Sequence, residues 1–375
     1  MTTTRTEPPL LARATVLGAA TLTIMAAAII APSLPAMSRA FDADVLVRLA
    51  LTITSLAIAV SAPLAGAFAD RTGRRPLLIT ALLLYAVSGT AGFFVTDLAV
   101  LLISRALLGL AVGGIMTAVS ALITDWFDGP RRAAFLGLQQ AFASLGGVVF
   151  LPLAGVLAGI DWRAPFWLYS VAVVVALAAL AGLRDEPRVK IQGGVFRPAA
   201  KALGIYAVAL VATLVFFMAP TQLPFLLSEL SVGPGVIGVV IAGSTLTSVI
   251  GALVFPRLRW GPRTITASSI ALLGVGWLLA GTGTVAGIVA GLLVGGIGVG
   301  IVVPHLNVQL SGMAAPQHRG RILSGLVAGI FLGQFLSPLV VAPLVQAAGI
   351  AGAFVWTGVF TTVGALGALV TKEKK

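Results

Sequence analysis

The chain has 375 residues, 58% hydrophobic and only 10% charged, with 44 glycines, no cysteine and a formal net charge of +12. Soluble domains carry about one quarter charged residues, so this composition excludes an ordinary soluble fold. The missing cysteines exclude disulfides and thiolate metal sites, two scattered histidines (His305 and His318) exclude a histidine metal centre, and the basic residues, clustered between long apolar stretches, form no domain that would hold nucleic acid.

A helix of about 20 apolar residues crosses a hydrocarbon core of about 30 Å. In chain order, such spans are expected at 12–36, 45–69, 76–95, 99–123, 132–159, 164–183, 202–227, 234–256, 264–281, 285–310, 320–348 and 351–370. The first is too long for the apolar region of a signal peptide and is followed at once by others, so it is expected to be a retained helix. The abundant glycine suits helices whose backbones approach closely. The expected fold is an all-α membrane protein of twelve transmembrane helices in two pseudo-symmetric six-helix bundles.

Twenty of the 24 Lys and Arg lie on one side, in loops or at span ends, three (Arg39, Arg48 and Arg163) on the other, and Arg105 lies deeper within a span. By the positive-inside rule both termini are expected in the cytoplasm. The longest charged connection begins at Arg184, near the midpoint, and divides the chain into bundles at 1–183 and 201–375 joined by a cytoplasmic linker at 184–200. A shift of 188 residues places Ala31-Pro32 on Ala219-Pro220, Arg71 on Arg259, Gly73 on Gly261, Arg75 on Arg263, Arg131 on Arg319 and Gly137-Leu138 on Gly325-Leu326. One shift that holds from the first span to the fifth indicates duplication. A six-plus-six repeat makes the halves parallel copies.

Between the second and third spans stands Gly66-Ala-Phe-Ala-Asp70-Arg71-Thr-Gly73-Arg74-Arg75. Gly66 lets another helix approach, Asp70 is an anion at a helix end, and Arg71, Arg74 and Arg75 are forked donors for which Asp125 is the expected partner. The segment resembles the signature loop G-x-x-x-D-R-x-G-R-R of the major facilitator superfamily, and with the twelve spans and half-repeat the resemblance covers the whole chain. It implies that Gly66, Asp70, Arg71, Gly73, Arg74, Arg75 and Asp125 form a conformational latch, whose helix-end partner is the eleventh span. The alternative is that the arginines only hold the loop in the cytoplasm. Leu258 stands where the second half would carry Asp70, so the latch is expected to be asymmetric.

The fourth span carries Arg105-Ala-Leu-Leu-Gly109-Leu-Ala-Val-Gly113-Gly114, similar to the family's fourth-helix motif. A guanidinium within hydrocarbon is expected to face water or acceptors, which makes Arg105 a cavity residue; the alternative is snorkelling to the near interface. In the fifth span Gly147, Pro152 and Gly155 keep part of the antiporter motif G-x-x-x-G-P-x-x-G-G, with Leu151 and Val156 in place of two glycines. That favours export weakly, against a plain proline kink. The pore-lining helices implied by the resemblance carry Ser33, Thr117, Gln222 and Asn307, with Gln139, Gln140 and Gln334 as further polar groups. Each has helix–helix hydrogen bonding as the alternative.

None of the twelve acids lies in a span core. Proton coupling therefore has to use His305, an ion pair of Asp44 and Arg48 at i and i+4, or the edge carboxylates Asp70 and Asp125. His305 has a hydrogen-bonded structural role as its alternative, and the Asp44–Arg48 pair a plain surface contact. The resemblance implies a secondary transporter near the drug:proton antiporter branch, a monomer in the bacterial inner membrane with a small-molecule substrate, the lipid bilayer and protons as its partners. The other transport reading is a facilitator or importer of a small organic solute or of an anion held by Arg105. No nucleophile–base set and no phosphate-binding loop are present, so neither an enzyme nor an ATP-driven pump is expected, and no cofactor is implied.

Overall fold

The computed structural model describes residues 8–184, 200–313 and 319–370. The linker expected at 184–200 therefore lies almost wholly outside the described residues. Helix α1 runs through Leu10–Ala28 and, after a break, Ala31–Ser33 and Leu34–Phe41; α2 is Asp44–Thr72, α3 Arg74–Phe94, α4 Leu98–Trp126 and α5 Gly129–Ile160. Helix α6 enters through the 3-10 segment Ala164–Ser170 and continues as Val171–Gly182. Helix α7 comprises Ala200–Phe216 and Met218–Glu229, α8 is Pro234–Val254, α9 Pro262–Ala280 and α10 Val285–Met313. The last helical run, Arg319–Val370, is broken at Gly349 (φ 71°, ψ 175°) into α11 at 319–348 and α12 at 350–370.

Among the described residues eleven helices are thus long and apolar enough to cross a membrane, and the break at Gly349 makes twelve spans of them. Gly349 falls in the gap expected between spans at 348 and 351, and its left-handed φ is open to glycine at no steric cost. Gly73 does the same between α2 and α3 with φ 100°. The chain breaks α1 around Pro32 and α7 beside Pro220, which are counterparts in the repeat. Proline donates no backbone hydrogen bond, so helical continuity is weakest there.

Leu11 lies against Gly182, so the start of α1 and the end of α6 share one face of the molecule, called here the terminal side. The packing is close wherever glycine lines a helix face. A methyl added at Gly276 of α9 would stand 2.5 Å from the Gly291 carbonyl of α10, and one at Gly109 of α4 would stand 2.6 Å from the Ala57 side chain of α2. The first six spans join the last six chiefly through α2 on α11 and α5 on α8. A methyl added at Gly155 would stand 2.5 Å from the Pro234 carbonyl, and Gly147 packs on Thr245. These contacts occupy the far side and the middle of the bundle. Toward the terminal side the same faces are bare: nothing comes within 4 Å of a methyl added at Gly66 of α2 or Gly137 of α5, and Leu253 of α8 and Val327 of α11 are exposed.

Candidate functional site

The signature segment spans the turn between α2 and α3 on the terminal side. Arg74 Nε lies 2.8 Å from Asp125 Oδ2 at the end of α4, in a pair about one fifth exposed. Arg75 Nη2 donates to the Leu180 carbonyl of α6 at 3.0 Å. Arg71 is exposed. Asp70 stands in the last turn of α2, but its side chain lies outside the described residues. Gly66 was expected to receive a neighbouring helix, yet nothing comes within 4 Å of a methyl added there. The reason is the arrangement of the halves, which are bare at this end. The arginines tie α3 to α4 and α6 within the first six spans, and no ion pair to α11 is formed among the described residues.

Arg105 corrects both readings of its role. It is fully buried, neither lining a central cavity nor reaching an interface. Its Nη2 donates to the carbonyls of Ser88 (3.1 Å) and Gly89 (2.8 Å) on α3. Its guanidinium carbon sits 5.0 Å from the Phe166 ring centre and 4.9 Å from that of Tyr169, both on α6. Gly89 and Gly92 admit those rings against the α3 backbone. The ring faces supply negative potential, worth about 2 kcal/mol or more for a desolvated cation, so the charge is held by carbonyls and aromatic faces. The following glycines seat the neighbouring helices, Gly109 and Gly113 against α2 and Gly114 against Ala81 of α3. The aromatic partners carried no sequence signal beyond their position in the sixth span.

On the far side the two sets of spans meet through side chains. The expected Asp44–Arg48 ion pair is not formed: Ser38 Oγ donates to Asp44 Oδ1, and Arg48 lies on an aromatic ring. Its guanidinium carbon lies 4.0 Å from the centre of the Phe225 ring on α7. Burial explains the choice. Arg48 is 9% exposed, and an aromatic face covers it more fully than a solvated carboxylate would. Asp44, Arg48, Gln222, Phe225, Glu229 and Gln346 share the wall of one cavity of about 540 Å³. Gln222 is 1% exposed with Oε1 unbonded among the described residues, and Ser33 is equally buried at the break in α1 with Oγ unbonded. Nearer the middle, Ser55 of α2 donates to Gln334 Oε1 of α11 at 2.8 Å, the helix–helix alternative for that glutamine. Phe225, Glu229 and Ser55 escaped the sequence reading. A hydroxyl in a mid-span position was the one available hint.

The remaining candidates do not gather. Thr117 donates to the Gly113 carbonyl of its own helix at 2.8 Å and is half-buried, while Asn307 is exposed. His305 is 4% exposed, with Nε2 2.9 Å from the Pro262 carbonyl of α9 and 2.6 Å from Gln309 Nε2. Phe255 caps it edge-on at 5.7 Å. It joins α9 to α10 within the last six spans, far from Asp44 and Arg48.

Comparison with known proteins agrees with this architecture. The family model described as Major Facilitator Superfamily matches residues 16–208 and 205–375. The chain is 28% identical over 376 residues to a tetracycline resistance protein, class C, of Escherichia coli, covering 93% of this chain and 92% of that one. It is 31% identical over 233 residues to a triacylglyceride transporter of Mycobacteroides abscessus, covering 56% of this chain and 45% of that one. A 28% identity to a putative niacin/nicotinamide transporter of Bacillus subtilis covers 36% and 34%. The chain thus spans about a third to under half the length of these last two relatives. Among solved structures, a bacterial homolog of the human lysosomal transporter Spinster, in an inward-facing and occupied conformation, superposes with TM-score 0.78 at 15% identity over 96% of this chain and 95% of that one. A D-xylose–proton symporter gives 0.77 at 15% identity over 96% of both.

Proposed function

The chain belongs to the major facilitator superfamily, and on that premise we propose that it is a secondary active transporter that exports a small amphipathic or hydrophobic compound by alternating access, in exchange for protons. The observation that carries the reading is the uneven seam between the halves. They are pinned together on the far side by Arg48 on Phe225 and by Gly155 against Pro234, and bare toward the terminal side, as a carrier loading from that side requires. The two bundles, 1–183 and 201–375, are the moving bodies of this reading, and the terminal side is cytoplasmic because it holds most of the basic residues.

The apolar lining of the spans supports a greasy substrate, since a sugar would need many directed hydrogen bonds. The full-length similarity to a tetracycline resistance protein supports export. Of the facilitator or importer alternative, the branch with an anion held by Arg105 loses its support through the burial of that residue against α3 and α6. The test is transport in reconstituted vesicles of both orientations with an imposed pH gradient and a compound panel. Accumulation driven by the gradient in inside-out vesicles is expected. Downhill equilibration alone, insensitive to the gradient, would replace antiport by facilitation.

A further inference from the structure

The far-side seam between the halves is polar at one place and apolar at its counterpart. Arg75 donates to the Leu180 carbonyl and Arg263 Nε to the Ala368 carbonyl at 2.6 Å, each across 105 residues, so the shift of 188 residues holds in space as well as in sequence. Under it the contact of α2 with α7 and α11 corresponds to that of α8 with α1 and α5. Asp44, Arg48 and Thr52, on one face of α2, fall on Val232, Val236 and Val240. Gln222, Phe225 and Glu229 of α7 fall on Leu34, Met37 and Phe41, and Gln346 of α11 falls on Ala158.

The apolar version is filled. Leu34 and Met37 are fully buried, and a methyl added at Gly238 of α8 would strike the Leu151 carbonyl of α5. The polar version encloses the far-side cavity of about 540 Å³, a volume suited to a small organic molecule. One seam packs without polar groups, so the scaffold does not require them at the other.

The cavity wall specifies what fits. Gln222 is 1% exposed, with Oε1 unbonded among the described residues. A buried acceptor without a donor is costly, and an N–H or O–H from a ligand recovers that loss. Seven residues further along α7, about 10 Å of helix, stands Glu229, and across the seam stands Asp44. Both carboxylates are exposed, and both attract the guanidinium of Arg48. Arg48 nevertheless lies on Phe225 and forms an ion pair with neither among the described residues. One oxygen of Asp44 takes the Ser38 hydroxyl, while the Glu229 carboxylate accepts no hydrogen bond among the described residues. Two carboxylates against one guanidinium leave the cavity negative. Arg48 Nε is also buried and unbonded, but an anion approaching it would meet both carboxylates. The connections on this side carry Asp42, Asp97 and Asp161 as well, against Arg39 and Arg163, so a basic protein presents its acidic side here and concentrates cations. Val45, Val345 and Ile350 supply apolar walls in between.

We propose that this cavity binds a small organic ammonium ion entering from the far side. Its charge rests with Asp44 and Glu229, its apolar body reaches inward, and a hydrogen-bond donor at its inner end meets Gln222 Oε1. Because Asp44 belongs to one half and Glu229 to the other, the occupant adds a tie to that of Arg48 on Phe225. The binding does not depend on the transport reading. The test is isothermal titration calorimetry of the full chain in detergent micelles, with protein-free micelles subtracted and tyramine as the probe. Wild type should bind one tyramine per chain. Tyrosol, with a hydroxyl in place of the ammonium, and phenethylamine, without the distal hydroxyl, should each bind several-fold more weakly. Glu229→Gln and Asp44→Asn, at exposed positions, should each lower tyramine affinity several-fold. Gln222→Leu, which supplies the residue found at position 34, should erase the preference for tyramine over phenethylamine. Asp97→Asn, at the start of α4 on the same side, should bind as wild type does. Absence of tyramine binding, equal affinity for tyrosol or phenethylamine, or undiminished binding by the folded Glu229→Gln variant would overturn the proposal. So would an equal loss in Asp97→Asn, which would reduce the effect to the general charge of the far side.

Discussion

Arg48 of α2 stacks its guanidinium on the ring of Phe225 of α7, with 4.0 Å from the guanidinium carbon to the ring centre, and so ties the two halves on the far side. Gln346, at the end of α11, shares the cavity beside them. A desolvated cation–π contact is worth about 2 kcal/mol, which biases a two-state equilibrium by roughly 30-fold.

Phe225→Ala is accordingly expected to favour opening of the far side. A cysteine at Gln346 should react faster with an impermeant thiol reagent from that side in the Phe225→Ala background, and Arg48→Gln should reproduce the effect. Equal reaction rates in all backgrounds would show that the stack does not hold the halves together.

The Arg74–Asp125 pair gives a second prediction. It is partly exposed, so its loss should cost about 1 kcal/mol or less in stability. Asp125→Asn and Asp70→Asn are nonetheless expected to slow transport severalfold while leaving thermal unfolding nearly unchanged, because the proposed role is in switching. Transport at the wild-type rate in both variants would reduce the segment to a determinant of topology.

Arg105 is expected to behave in the opposite way. Arg105→Gln removes hydrogen bonds from a charged group to two buried carbonyls, each worth about 1.5–3 kcal/mol, and empties the space between two rings. The variant should unfold at a clearly lower temperature, and Arg105→Lys should recover only part of the loss because an ammonium lacks the planar fork. A thermally normal, transport-defective Arg105→Gln would return the residue to the substrate path.

Coupling is tested at His305. The proposal expects His305→Gln to abolish pH-driven accumulation while downhill exchange continues, since glutamine can still donate to the Pro262 carbonyl but cannot take up a proton in this range. Retained accumulation would move the proton to Asp44, Asp70 or Asp125.

Topology has its own check. A cysteine at Trp260, exposed in the α8–α9 connection, should resist impermeant labelling of intact cells, while one at Gly283, in the α9–α10 turn, should label readily. The reverse pattern would invert the assignment of sides.

Much of the architecture is a local property of the chain and was legible without coordinates. The spans follow from apolar length and the break between α11 and α12 from the gap around Gly349, whereas spans 12–36 and 202–227 were expected unbroken and the structure interrupts them near the repeated Ala-Pro pairs. The shift of 188 residues foretold a repeat that reappears in the paired bonds of Arg75 and Arg263. What the tertiary structure alone decided is which side chains meet across helices: Arg105 with Phe166 and Tyr169, Arg48 with Phe225 in place of Asp44, Ser55 with Gln334, and Asp44 with Gln222 and Glu229 around one cavity. In a bilayer the face turned to lipid is as apolar as the face turned to the core. The periodicity that reveals the buried face of a soluble helix is therefore lost, and the choice of partner passes to the close fit of glycines and ring faces, which becomes visible only once the helices are packed.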